Sequence, residues 1–225
     1  FRNAIIAVAL AFAGLFPFAN HLYTYVSEPL RALLPEGSSM IATEVTSPFL
    51  TPFKLSLVLA VFVAMPVILA QVWGFIAPGL YKSERRIAVP LLASSVVLFY
   101  GGVAFAYYVV FPLLFGFFTT VGPGDIAVMT DINRYLDFVL KLFFAFGLAF
   151  EVPVAAVILI LSGVVTADQL ANNRSYVIVG CFVMGMLLTP PDVISQTLLA
   201  LPMWLLFEVG LIMGRVLSRG NLDDE

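Results

Sequence analysis

The chain has 225 residues, of which 61% are hydrophobic and 11% charged, with a mean hydropathy of +1.04. That balance excludes a water-soluble globular domain, and a net charge of −3 with a pI near 5.1 leaves no electrostatic footprint for nucleic acid. One histidine, His21, and one cysteine, Cys181, supply no ligand set for zinc, haem or an iron–sulfur cluster, so neither a metal nor a cofactor is expected.

In chain order, the first apolar run is Ala4 to Ala19. It has the look of a signal-peptide core with Ala11-Phe12-Ala13 as cleavage site, but its apolar character continues past that point, so it reads as a first membrane helix. Phe1 in place of Met predicts that the natural N-terminus lies upstream. Tyr25 to Pro52 is the largest segment outside the apolar runs. Val26, Leu30, Leu33 and Leu34 recur there at helical spacing, and Pro35, Gly37, Pro48 and Pro52 follow, which predicts a short amphipathic helix and an ordered capping loop.

Five further apolar runs follow: Phe53 to Ile76, Ile87 to Phe118, Ile132 to Leu161, Tyr176 to Leu188 and Ser195 to Gly214. The third span overall, Ile87 to Phe118, is long enough that it must tilt, break at Gly101-Gly102 or Pro112, or project beyond the bilayer. The fifth span overall, Tyr176 to Leu188, is short, and the last two spans are expected to thin the membrane or be sheltered by a partner. Prolines 66, 112, 153 and 202 interrupt four spans and favour a curved, concave bundle. The loop Thr119 to Thr130, with Gly122-Pro123-Gly124, is expected to turn. No internal repeat is visible, so the inverted-repeat signature of many transporters is missing.

An even number of spans puts both termini on one side. That side carries Arg2, Lys82, Arg85, Arg86, Arg174, Arg215 and Arg219, against Arg31, Lys54 and Arg134 on the other, with Lys141 inside a span. The excess places both termini in the cytoplasm. The chain therefore reads as one all-α integral membrane domain over residues 1–225, with six transmembrane helices.

Glu151 is the most informative residue. It lies within Leu142 to Gly163, an otherwise uncharged stretch of 22 positions that spans roughly 33 Å as a helix. An acid near mid-bilayer costs about 2.5 kcal/mol or more, so it faces protein or water. Pro153, two positions on, crowds the carbonyl of Ala149 and should bend the helix beside the acid. Two readings stand: a binding or proton site, and a structural carboxyl bonded to a neighbouring helix.

Other polar residues have simpler readings. In Tyr81-Lys82-Ser83-Glu84-Arg85-Arg86 the bases suit anionic headgroups, whereas Glu84 is a candidate to receive a cationic partner or to pair within its own loop. Asp137 and Lys141 have the favourable i, i+4 order for a helical ion pair. Asp192, in the stiff external turn Thr189-Pro190-Pro191-Asp192, is a candidate cap for the last helix. Gln196 and Glu208 need partners in this chain or on another membrane helix. No nucleophile–base pair is visible, so no catalytic residue is expected.

Taken together, Ser47-Pro48-Phe49, Phe75-Ile76-Ala77-Pro78-Gly79-Leu80-Tyr81 with Glu84-Arg85-Arg86, Phe150-Glu151-Val152-Pro153 and Leu188-Thr189-Pro190-Pro191-Asp192 resemble the TatC family, the signal-peptide receptor subunits of twin-arginine protein translocases. The resemblance covers nearly the whole chain. It implies a curved, glove-like six-helix body in the bacterial cytoplasmic membrane that recognises twin-arginine signal peptides of folded cargo. It further implies work with the single-span proteins TatA and TatB in an oligomeric complex of several copies, and transport driven by the proton-motive force. By position, Glu84, with Phe75 and Arg85 beside it, resembles the site for the signal arginines, and Glu151 the acid of the concave groove. Met186, Thr189 and Gln196 resemble positions where TatB and TatA helices dock, and Pro48, Phe49 and Asp192 belong to external structural motifs. The family's N-terminal cytoplasmic segment, which supplies a second acid to the arginine site, does not precede Phe1 in this sequence. The rival readings are a proton-coupled small-solute transporter using Glu151 and a purely structural membrane scaffold.

Overall fold

The computed structural model describes residues 2–31, 41–76, 88–121, 131–188 and 193–220. Among them every regular element is helical, and the one bridge between extended residues joins Ile41 to Asp131. The chain divides into two compact units, Phe1–Gln71 with Phe105–Phe143, and Val72–Ala104 with Phe144–Glu225.

In the first unit, α1 (Arg2–Leu15) passes through a 3-10 turn, Phe16–Phe18, into α2 (Ala19–Arg31). Pro17 has no amide to offer the carbonyl of Ala13, and the ladder tightens there instead of breaking. The first span thereby extends over Arg2–Glu28, well past the predicted end. Helix α3 (Ser47–Val63) starts six residues earlier than expected, with Pro48 in its first turn, where a missing N–H costs nothing. It bends by 46° into α4 (Met65–Ile76), where Pro66 denies a bond to the carbonyl of Phe62.

Helix α5 (Ala88–Phe105), which belongs to the second unit as far as Ala104, continues through a π-turn, Ala106–Val110, into α6 (Phe111–Val121) of the first. The long third span is therefore adjusted immediately before Pro112, whereas Gly101-Gly102 stays helical. The aromatic core of this unit forms where Phe143 meets Phe111, with ring centroids 5.2 Å apart, and Phe62 at 6.1 Å edge-to-face.

A polar staple closes the external end of the same unit. Asp131 precedes α7 (Ile132–Ala149) and accepts the amides of Asn133 at 2.9 Å and Arg134 at 3.0 Å, a side-chain cap on the helix start. Its other oxygen accepts from the amide of Thr43 at 3.0 Å and the Thr43 hydroxyl at 2.6 Å, which ties the segment before α3 to α7. Those four bonds to the charged form, with the Thr43 hydroxyl contributing most, hold the carboxyl down at about 2. Tyr135 donates to the carbonyl of Val26 at 3.0 Å and fastens α2 to α7.

The second unit contains the end of α4, α5 as far as Ala104, the end of α7, and α8 (Val152–Leu161), α9 (Ala167–Asn172), α10 (Arg174–Leu188) and α11 (Val193–Gly220). Gly163 ends α8 at φ 70°, a left-handed conformation that a Cβ would oppose. Thr166 and Gln169 then open α9 with a reciprocal capping box, at 3.1 and 2.9 Å. Apolar side chains gain little by leaving lipid for one another, so close backbone approach carries much of the packing. A Cβ on Gly102 would lie 2.4 Å from the carbonyl oxygen of Phe146, and one on Gly210 would lie 2.5 Å from the Cα of Pro153. Gly147 receives the ring of Phe99 in the same way.

Four helices are long and apolar enough to span a membrane, a bent pair, Ser47–Val63 with Met65–Gly74, makes a fifth passage, and Arg174–Leu187 is a shorter apolar helix. This is the six-span, all-α membrane architecture. Two expectations are corrected. The thinning expected of the last two spans is confined to the fifth, because the sixth runs over 22 apolar residues, Gln196–Leu217, and α11 continues through Pro202. Asp137 does not pair with Lys141: its carboxylate takes the ammonium of Lys54 from α3. The predicted turn at 122–130 and the residues Leu33, Leu34, Pro35 and Gly37 lie outside the described residues.

Candidate functional site: a buried carboxyl and its polar chain

Glu151 sits at the junction between α7 and α8, where residues 150–151 leave regular helix. Its amide bonds the carbonyl of Leu148 at 3.0 Å and its own carbonyl accepts from Ala155 at 2.9 Å, so the chain is re-stitched around the amide that Pro153 lacks. The side chain is half-buried. It does not turn back to cap α8. It hydrogen-bonds instead with Ser95 of α5, a fully buried serine. The indole Nε1 of Trp73, 5% exposed on α4, donates to the same serine oxygen at 3.3 Å.

The three residues form a chain from indole to hydroxyl to carboxyl within an apolar cluster that includes Leu91, Val154, Val157 and Leu161. The other carboxyl oxygen, Oε1, is buried with no partner among the described residues. A carboxyl held on one side and open on the other can accept one further donor, and in a low-dielectric setting an unpaired oxygen favours acquiring one. Sequence reading found the acid but missed Ser95 and Trp73. Ser94-Ser95 inside an apolar run was the available signal, and only the fold separates the two: Ser94 bonds its own helix at the carbonyl of Leu91, 2.8 Å away.

The remaining predicted residues fall in three places. Glu84, Arg85, Thr189 and Asp192 lie outside the described residues, and Phe75 occupies the last turn of α4. Met186 on α10 is exposed, and beside it Gly185 meets the backbone of Gln196 on α11, where a Cβ would lie 3.3 Å from the Gln196 oxygen. Met186 and Gln196 therefore flank one close crossing. Pro48 and Phe49 line an external cleft of about 380 Å³ with Phe16, Asn20 and Phe53, in which Phe53 meets Phe12, Phe16 and Phe49 ring to ring. Toward the cytoplasmic end, Glu208 finds the partner it needed. Arg174 clasps it through two nitrogens at 2.7 and 2.8 Å, and Arg215 pairs with Asp168 at 3.1 Å.

Comparison with known proteins covers nearly the whole chain. Residues 1–202 match the family model described as Sec-independent protein translocase protein (TatC). A Sec-independent protein translocase protein TatC from Azotobacter chroococcum is 67% identical over 212 residues, covering 94% of this chain and 83% of that protein. The TatC protein of Escherichia coli is 58% identical over 213 residues, covering 95% and 83%. A crystal structure of the twin-arginine translocase receptor TatC superposes with a TM-score of 0.83 at 38% identity, covering 96% of this chain and 94% of that one. With a family model matching residues 1–202 and relatives of 58 to 67% identity covering 94 to 95% of it, the chain belongs to the TatC family of Sec-independent protein translocase proteins.

Proposed function

We propose that this chain is the receptor core of a twin-arginine translocation system in the bacterial cytoplasmic membrane. It binds twin-arginine signal peptides of folded cargo and assembles with TatA and TatB for export driven by the proton-motive force. The observation that carries this reading is the likeness to the twin-arginine translocase receptor over 96% of the chain.

The physical roles follow from residue chemistry. Glu84, at the cytoplasmic surface, pairs with a signal arginine, whose planar fork meets a carboxylate better than the point charge of lysine, and Phe75 and Arg85 flank that site. Glu151, supported through Ser95 by Trp73 two residues before Phe75, offers its open oxygen to a donor on a partner membrane helix. Met186, Thr189 and Gln196 form the docking edge for TatB and TatA helices, with the short α10 leaving that edge thin. Pro48, Phe49 and Asp192 shape the external end. No step of this reading requires a nucleophile or a cofactor.

Disulfide trapping tests the assignment of the docking edge. A cysteine at 196 should crosslink to one in the TatA or TatB helix, and Gln196→Leu should weaken co-purification of that helix, since a polar contact between membrane helices is worth roughly 0.6 to 2 kcal/mol. No crosslink under any transport condition would remove Gln196 from the docking edge.

A further inference from the structure

Lys141 is an exposed lysine inside the span Ile132–Leu161, and it has no side-chain partner among the described residues. A charge there needs an anion, because an ionised side chain in the hydrocarbon region costs about 2.5 kcal/mol or more. The acid one turn before it, Asp137, is already engaged by Lys54. Arg134, also exposed, precedes Lys141 by seven residues and so occupies the same face of α7; its guanidinium too has no partner among the described residues. Lys54 from α3 thus pairs with Asp137, while Arg134 and Lys141 stand three residues before and four residues after that acid on the same face of α7.

Their position is unusual. Basic residues on the external side are disfavoured by membrane topology, and this chain has only Arg31, Lys54 and Arg134 there. Two of those three, with Lys141, gather on one patch. The direction of the lysine fits as well. Side chains on a helix lean toward its N-terminus, and α7 begins at the external side. Lys141 starts one turn, about 6 Å, deeper than Asp137, and its flexible stem is long enough to bring the ammonium back to that level. Apolar surface adjoins the cations: Leu57 of α3 is 43% exposed one turn deeper than Lys54, and Phe138, between Arg134 and Lys141 on α7, is partly exposed.

We propose that Lys141, Arg134 and Lys54 form a binding site for the phosphate of an anionic phospholipid in the external leaflet, with the acyl chains along Leu57 and Phe138. The surplus positive charge of the patch, its level at the edge of the hydrocarbon and the apolar surface adjoining it match a lipid headgroup and tail in that order. Asp137 holds Lys54 in place and limits the site to one phosphate-sized anion between Arg134 and Lys141.

The test is native mass spectrometry of the purified full-length protein, exchanged into mixed micelles of phosphatidylglycerol and phosphatidylcholine. The unaltered protein should retain phosphatidylglycerol preferentially. Lys141→Leu and Arg134→Gln should each lower the retained phosphatidylglycerol about fivefold, the equivalent of about 1 kcal/mol per cation, while Lys141→Arg keeps it. A salt titration of the unaltered protein gives the same answer without a substitution, because the preference should fall as ionic strength rises. Equal retention of the two lipids, a preference indifferent to salt, or unchanged retention in Lys141→Leu would each overturn the proposal. So would a Lys141→Leu variant that keeps its phosphatidylglycerol but loses an acidic partner helix, which would make Lys141 a protein contact.

Discussion

Replacing Ser95 with alanine is the most revealing perturbation of the buried chain. The serine oxygen accepts from Trp73 at 3.3 Å while the hydroxyl bonds Glu151, so one substitution strands both neighbours. Each stranded polar group costs about 1 to 3 kcal/mol in a protein interior. Hydrogen bonds between membrane helices average closer to 0.6 kcal/mol, with a maximum near 1.7, because the unfolded chain in lipid also finds partners. Glu151 is only half-buried and Trp73 sits at the long end of hydrogen-bond range, so the lower figures apply, and we expect Ser95→Ala to destabilise the protein by about 1 to 2 kcal/mol. Ser94→Ala is the internal control, since that hydroxyl bonds only its own helix and its loss should cost less than about 0.5 kcal/mol. Reversible unfolding in mixed detergent micelles, followed by far-ultraviolet circular dichroism, measures both. Combining Ser95→Ala with Trp73→Phe should be less than additive, because the two share one bond. Equal stability of the two serine variants, or strict additivity of Ser95→Ala with Trp73→Phe, would refute the chain as described.

Three further outcomes follow from the geometry. Gly210→Ala should cost about 1 to 3 kcal/mol, because the new methyl meets the backbone of Pro153, whereas Gly14→Ala and Gly74→Ala, with nothing within 4 Å, should be tolerated; thermal unfolding of the three variants in micelles separates them. Asp131 has a lowered folded-state value, so the stability it lends is fully present above its ordinary value of 3.8 and is lost as pH falls toward about 2; protection of the Thr43 amide from hydrogen exchange, relative to its intrinsic rate at each pH, should fall across that window, and Asp131→Asn should remove the pH dependence. Glu208→Gln should weaken the clasp with Arg174 by no more than about 1 kcal/mol, given the half-exposed guanidinium, and a double-mutant cycle with Arg174→Gln reads the coupling.

Membrane architecture was legible in the sequence because hydropathy and length are physical requirements for crossing a bilayer, and Glu151 stood out because an acid in such a run is costly. Helix ends were less legible. The start of α3 at Ser47 depends on Pro48 being harmless in a first turn, and the continuation of α1 through Pro17 depends on a local 3-10 adjustment; apolar windows register neither. Partner choice was hidden for a different reason. The i, i+4 rule favours Asp137 with Lys141 on an isolated helix, but α3 brings Lys54 to the same carboxylate, and tertiary proximity wins over a local preference worth about 0.5 kcal/mol. Ser95 and Ser94 are likewise indistinguishable until α5 is packed, when one serine faces Trp73 and Glu151 and the other bonds its own backbone.

The central claim, that this chain receives twin-arginine signals through Glu84, is tested most directly by photocrosslinking a signal-peptide probe to membranes containing the full-length protein. The account predicts strong crosslinking of an Arg-Arg signal, less of its Lys-Lys counterpart, and a loss of binding worth roughly 1 to 3 kcal/mol in Glu84→Gln, the scale of a charge-assisted hydrogen bond. Glu84→Arg should be worse, since it sets like charges together. Equal crosslinking by the unaltered protein, Glu84→Gln and Glu84→Arg would contradict the account and leave Glu84 an ordinary loop charge.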